Sequence, residues 1–225
     1  DASYAEIVDW GSEMNRVRAV LQLARTEFPT LATLWRALQR VPTRIWRQLL
    51  HRSATTCDPG EQSALDDTFF DRQAASSHYR DRSNRHIRPL KTTALVDAGR
   101  VWSWIDTVLH TGVTTTGVAA IALNNFEGIE SFAADKGYGD QSLRDALRSE
   151  SVRLLIKHRL FAHYDHAHNG RLVSELYGQR WTVENAVSVI QRRFGSAIRP
   201  SAFYGEFREL VLTTTVYNLE QALKQ

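Results

Sequence analysis

The sequence predicts a mixed α/β domain, a sheet flanked by helices, preceded by a small N-terminal helical region. Three observations predict it. Residues 1–55 repeat apolar side chains at three- and four-residue steps. Short β-prone segments begin at residue 63. Beyond residue 110 such segments alternate with helical ones.

Taken in order, Ile7, Val8, Trp10, Met14, Val17, Val20, Leu21 and Ala24 mark one helical stretch. Pro29 and Thr30 open a second helix, with Thr30 as N-cap and Leu31, Leu34, Trp35 and Leu38 as its stripe. Pro42 and Thr43 start a third, through Ile45, Trp46, Leu49 and Leu50. Three short helices in succession suit either a DNA-binding module or a packing cap for the next domain. The turn cluster Thr56-Cys57-Asp58-Pro59-Gly60 sets the boundary, giving a helical region at 1–55 and the α/β domain at 56–225. Strands are predicted at 63–70 and 90–96 and, after a hairpin turn at Asp97-Ala98-Gly99, at 101–109. A helix over 116–128 leads to a strand at 131–134 that ends on Asp135. Gly137 and Gly139 break the chain before an amphipathic helix at 140–150 and a buried strand at 152–156. Residues 157–178, rich in His, Tyr, Asn and Gly, read as a polar loop. A helix at 183–194 carries Val183, Val187, Ile190 and Phe194 on one stripe. A last helix at 202–223 turns Phe203, Phe207, Leu210, Val211 and Tyr217 inward.

Composition excludes several classes. The 43% apolar content suits a globular core. The single cysteine, Cys57, forbids an intramolecular disulfide and cysteine-rich zinc sites, and it fits a reducing cytoplasm. No apolar run approaches the roughly 18 residues of a membrane span. The opening residues carry acids rather than a basic apolar leader, so no signal peptide is expected. The chain starts without Met, its only one being Met14, which reads as an incomplete N-terminus. Net charge is +3 but unevenly placed: residues 72–100 hold seven Lys/Arg against two acids, and residues 151–200 hold eight against three. Two basic tracts against an acidic remainder point to a polyanionic partner.

Three acids stand where phosphodiester chemistry could use them. Such chemistry needs carboxylates from different elements converging on divalent cations, since magnesium prefers hard oxygen ligands. Asp66 lies inside an otherwise apolar strand, where a carboxylate is costly unless paired or bound to metal. Asp135 closes a strand at a glycine turn, a place where ligands bind in α/β sheets and where an Asp also serves as a turn former. Glu184 stands near a helix start, beside the apolar stripe, where the helix dipole favours it. Asp67 competes with Asp66, but alternation sends the two to opposite faces.

The segments ALDDTFFDRQAASSHYR, LKTTALVD, FAADKGYGD, LRDAL, VRLLIKHRLFAHYDHAHNGR and FGSAIRPSAFYGEFRELVLTTTVYNLEQALKQ resemble the DDE-type transposases of the four/five group of bacterial and archaeal insertion sequences. The likeness covers most of the chain from about residue 60 and is fainter over the N-terminal helices and residues 101–128. It implies a ribonuclease-H-like fold and an enzyme that cleaves and transfers DNA strands at two divalent cations, Mg2+ or Mn2+. It implies Asp66, Asp135 and Glu184 as catalytic metal ligands. The family's Tyr-x2-Arg-x3-Glu-x6-Lys signature reads here as Tyr177, Arg180, Glu184 and Gln191. Gln191 departs from the usual Lys and offers DNA a neutral hydrogen bond instead of a cation; Arg192 and Arg193 follow at once.

Within that resemblance Arg180 suits a phosphate contact or a structural ion pair with Glu184. Tyr177 suits base stacking or the core. Lys136 and Lys157 suit backbone phosphates. Among His158, His163, His166 and His168, with no cysteine nearby, a polar loop lying along DNA through His168 and Asn169 is expected ahead of a zinc site. Double-stranded DNA is the implied partner, bound by a homodimer in the nucleoid-associated cytoplasm. Two rivals remain open: a ribonuclease-H-like nuclease or resolvase, and a decayed or repurposed copy that binds DNA without cutting.

Overall fold

The computed structural model describes residues 4–56, 60–72, 89–98, 105–109, 128–172, 174–199 and 203–224. The chain divides into two compact units, Asp1–Trp46 and Arg47–Gln225. In the first, α1 (Tyr4–Glu13) and α2 (Asn15–Leu21) replace the one predicted stretch, because Met14 takes an extended backbone between them. α2 stops where Gln22 turns left-handed at φ 55°. α3 (Leu31–Arg40) starts as predicted: the Thr30 hydroxyl accepts the Thr33 N–H at 3.3 Å. α4 (Thr43–Ala54) follows Pro42, whose carbonyl accepts the Ile45 and Trp46 N–H groups. The division between units falls inside α4, whereas the turn cluster predicts a boundary at 55/56. Its last turns pack in the second unit, where Asn218 donates to the Ser53 hydroxyl at 3.0 Å and Ala222 lies on Ala54.

The second unit is built on a mixed sheet, as the sequence predicts. β1 (Gln62–Arg72), β2 (Leu90–Asp97), β3 (Ile105–Leu109), β4 (Ser131–Ala134) and β5 (Arg153–Ile156) stand in the order β3-β2-β1-β4-β5. β1 runs antiparallel to β2, and β2 to β3, while β1, β4 and β5 are parallel. A parallel neighbour needs a crossover, and α5 (Gln141–Ser149) supplies it between β4 and β5. The predicted hairpin turn at Gly99, the start of the third strand and the helix over 116–128 lie outside the described residues, apart from Ala98 and Gly128.

Alternation along β1 divides its side chains between two faces. Leu65 joins Leu95, Phe132, Ala134 and Ile156 in a core closed by Leu143 and Leu147 of α5. Asp67 follows Leu65 on that face. Ala64, Asp66 and Thr68 take the other, where α8 (Trp181–Phe194) lies on β1 and β2 through buried Val183, Ala186, Val187 and Ile190. α9 (Phe203–Ala222) packs on α8 and β3, burying Phe207, Leu210, Val211 and Tyr217 as predicted.

The polar loop predicted at 157–178 is a correction: it contains α6 (His163–Arg171) and α7 (Ser174–Gly178). α6 has no apolar stripe to signal it. Its start is fixed instead by the Asp165 carboxylate, which accepts the N–H groups of Phe161 at 2.9 Å and Ala162 at 2.8 Å. A two-residue strand, β6 (Ala197–Ile198), was not expected either. It runs parallel to Asp71 and Arg72 at the end of β1 and is too short to carry a periodic pattern.

Candidate active site

The sheet register brings two of the sequence-selected acids side by side. Leu65 pairs with Ala134 across β1 and β4, so Asp66 on β1 and Asp135, the residue just past the end of β4, each follow a paired position. Glu184 arrives from the first turn of α8, on the face that Asp66 presents. Arg180, one turn before it, joins them: its Nη1 contacts Asp66 Oδ2, and its Nη2 lies 3.2 Å from Glu184 Oε1. The ion pair with Glu184 expected from i,i+4 spacing is therefore present. The pairing with Asp66, far away in the chain, was not foreseen.

The electrostatics follow from this crowding. Burial pushes the Asp66 carboxyl pKa up, and the nearby Glu184 and Asp135 charges push it the same way. The Asp67 N–H, 2.8 Å from Asp66 Oδ1, and the Arg180 cation act against that rise. Burial alone would lower the Arg180 pKa, but Asp66 and Glu184 carry it above its usual value. Asp135 also serves its own turn: its carboxylate accepts the Gly137 N–H at 3.3 Å, capping the 3-10 turn Lys136–Tyr138.

Asp67 has a separate set of partners on the other face. It pairs with Lys91 at 2.5 Å and accepts the Thr93 hydroxyl. The buried Tyr138 hydroxyl lies beside it without a well-formed hydrogen bond. Burial first, then the Asp67 carboxylate, raises the Tyr138 pKa far above the usual range.

The remaining selected residues fall into two groups. Around the acids, Tyr177 is half-buried; burial raises its pKa first, and the Asp135 and Asp66 charges add to the rise, while Arg180 opposes it. The Lys157 ammonium sits 4.4 Å above the Tyr177 ring. Gln191 donates to the Phe69 carbonyl at 3.0 Å, tying α8 to β1. Arg192 donates to the Ser188 carbonyl at 3.3 Å, and Arg193 grips Glu220 with both guanidinium nitrogens.

The second group lies at the β5–α6 junction. Asn169 uses both ends of its amide on the His158 backbone, at 2.8 and 3.1 Å. His168 bonds the Ile156 carbonyl at 3.3 Å and stacks on His158 at 3.7 Å. Lys136 and Lys157 line a cleft of about 700 Å³ together with Arg159, Phe161 and His166. Arg159 and the exposed Phe161 were not selected from the sequence, although an apolar pair, Leu160-Phe161, after a cation in so polar a segment is a visible signal.

The match with a family model now decides the lineage. Residues 58–219 match the model of the transposase DDE domain. The chain belongs to this transposase family. No curated protein matches the chain. Among solved structures, the transposase domain is similar to a piggyBac transposase in a synaptic complex with hairpin DNA, with a TM-score of 0.54 at 12% identity. That alignment covers 99% of this chain and 62% of the other, so the chain spans under two thirds of that transposase. It is also similar, at a TM-score of 0.41 and 12% identity, to a chain of a simian T-cell lymphotropic virus intasome in complex with the regulatory subunit B56 gamma of PP2A, covering 93% of this chain and 67% of that one. The first likeness supports the ribonuclease-H-like fold that the sequence resemblance implies.

DDE transposases use divalent metal ions, and the three acids selected from the sequence would suit them in kind: Asp66, Asp135 and Glu184 offer only hard oxygens. Among the described residues no three His, Cys, Asp or Glu side chains stand close enough to hold a metal as placed. The Arg180 guanidinium joins Asp66 to Glu184. The same finding applies to the four histidines. No described helix is long and apolar enough to cross a membrane.

Proposed function

We propose that this chain is the catalytic core of a DNA transposase that cleaves DNA strands and joins them to a target, using two Mg2+ or Mn2+ ions held by Asp66, Asp135 and Glu184. The observation that supports the reading is the guanidinium of Arg180 shared by Asp66 of β1 and Glu184 of α8, with Asp135, just past β4, near enough to act on both Asp66 and Arg180 electrostatically. A buried carboxylate with two like charges beside it is a poor structural choice and a good cation site. Ions bound there would activate the attacking hydroxyl and neutralise the leaving oxygen.

The chain's own side chains supply the rest. Asp66, held by the Asp67 N–H and the central strand, is the fixed acid; Glu184, 60% exposed, is the adjustable one. Arg180 grips a strand phosphate once DNA enters, and Tyr177 presents its ring beside it. Lys136, Lys157 and Arg159 line a basic cleft beside the Asp135 turn and receive the backbone. His168, Asn169, Gln191 and Arg193 act on DNA indirectly, by bracing the elements that carry these groups, while Arg192 offers a further cation. The family's paired-end chemistry favours a homodimer on DNA, in the nucleoid-associated cytoplasm, with 56–225 as the catalytic domain.

The test is an assay with DNA carrying the ends of the element and a target plasmid. Metal-dependent nicking followed by joined products is expected; cutting without joining would make the chain a nuclease or resolvase instead. A second reading, a DNA-binding remnant, is favoured by Gln191, which replaces the signature Lys and turns its amide to the Phe69 carbonyl. Binding with neither cutting nor joining would select it.

A further inference from the structure

The carboxylates of this site already have a cation, and it belongs to the protein. Arg180 enters from the start of α8, contacts Asp66 with one nitrogen and reaches Glu184 at 3.2 Å with another. These two acids are 118 residues apart in the sequence, yet a single planar group serves both. Arg180 is 28% exposed in its side chain and Asp66 16%, so the pair is shielded from solvent, while Glu184 at 60% is free to turn. A guanidinium delivers fixed, forked donors and cannot lose its proton, so it joins the two acids while supplying one of the two positive charges that a divalent ion would bring.

We propose that Arg180 is a positioning residue that occupies the divalent-ion position in the metal-free protein, competing with the metal and leaving the acids for a DNA phosphate only when ions load. The inference rests on the transposase reading above. It fits the geometry: the described residues form no ready metal cluster, and Arg180 stands between two of the three acids. It also couples loading to substrate. The Asp66 and Glu184 contacts hold the guanidinium until cations displace it, and a phosphate is the next bidentate acceptor it can meet. Lys157 does not share this role: its ammonium lies on the Tyr177 ring and bridges no acid of the site.

A merely structural Arg180 and a competing one differ in sign. If the side chain only braced the acids, its removal would scatter them and weaken metal binding. Competition predicts the opposite. The experiment is Mn2+ titration of the DNA-free protein, read as the rise in unfolding temperature, for wild type, Arg180→Ala, Arg180→Gln, Arg180→Lys, Lys157→Gln and Asp135→Asn. Arg180→Gln keeps a neutral donor and guards against a failure of Arg180→Ala to fold. The half-saturating Mn2+ concentration should fall about tenfold in Arg180→Ala and Arg180→Gln, as expected when hydrogen bonds to a charged group no longer oppose loading. Arg180→Lys should fall between these variants and wild type, and Lys157→Gln should shift far less. Unchanged or weaker Mn2+ binding in Arg180→Gln overturns the proposal, as does an equal shift in Lys157→Gln, which would make the effect one of bulk charge. Asp135→Asn should abolish the response. If neither wild type nor Arg180→Gln responds, the metal-site reading itself fails, and the proposal with it.

Discussion

Two adjacent acids on β1 have opposite fates. Asp66 meets other carboxylates and a guanidinium, whereas Asp67, on the far face, is neutralised by Lys91 and accepts the Thr93 hydroxyl. The Asp67 carboxylate is thus balanced within the fold. Beside it, the Tyr138 hydroxyl is buried without a good partner, a cost the ring does not share. Tyr138→Phe should therefore leave thermal stability unchanged or raise it by up to about 1 kcal/mol, measured by denaturant unfolding; a loss of more than that would mean the hydroxyl is bonded to Asp67. Asp165 gives a prediction in pH. The Ala162 and Phe161 N–H groups, joined by His158, hold its carboxyl below the usual range. A depressed folded pKa contributes stability that is present above the unfolded value near roughly 3.9 and is lost as pH falls through the folded value. Protection of the Phe161 and Ala162 amides, their exchange relative to the free-chain rate at the same pH, should be high at neutral pH and fall only in strong acid, and Asp165→Ala should remove it at every pH. Loss of that protection in wild type at pH 6 would contradict this.

Helices and strands differ in how well the sequence announces them. β1, β2 and β4 read clearly because short apolar runs are bounded by turn residues, and α5 and α9 because Leu143 and Leu147, or Phe207, Leu210 and Val211, recur at helical spacing. α6 does not, since its His, Tyr, Asn and Gly residues bury almost nothing and its support comes from Asp165 and Asn169. The site shows the same limit. Strand and helix position make Asp66, Asp135 and Glu184 candidates, the family resemblance joins them into one set, and spacing gives the Arg180–Glu184 pair; the Arg180–Asp66 contact depends on where α8 crosses the sheet, which local pattern does not encode. α8 is the element on which that geometry hangs. Ile190 is buried against its neighbours, and Ile190→Ala should cost roughly 2–5 kcal/mol. Because Glu184 rides on the same helix, the variant should also weaken Mn2+ binding at temperatures where the protein remains folded. Unaltered metal response would show that Glu184 is placed without α8 packing.

At the scale of the second unit, the central strand is what positions Asp66. β1 is paired on both sides, so its backbone is held by two neighbours while Asp66 projects toward α8. Basic side chains gather beside the Asp135 turn, next to the acids that would otherwise repel DNA. DNA binding should weaken steeply as salt rises, with a slope in log K against log salt of about −0.9 for each phosphate contacted; a flat response would remove the cleft as a DNA surface. Asp66→Ala, Asp135→Ala and Glu184→Ala should each abolish strand cleavage while DNA retention in a gel-shift assay stays close to wild type. Equal loss of binding and cleavage would reassign these acids to folding. The most direct test of the central claim is the anomalous scattering of Mn2+ in crystals of the protein with DNA. The account predicts manganese peaks within coordination distance of oxygens from Asp66, Asp135 and Glu184, with Arg180 drawn away; manganese bound elsewhere, with these three carboxylates unliganded, would contradict it.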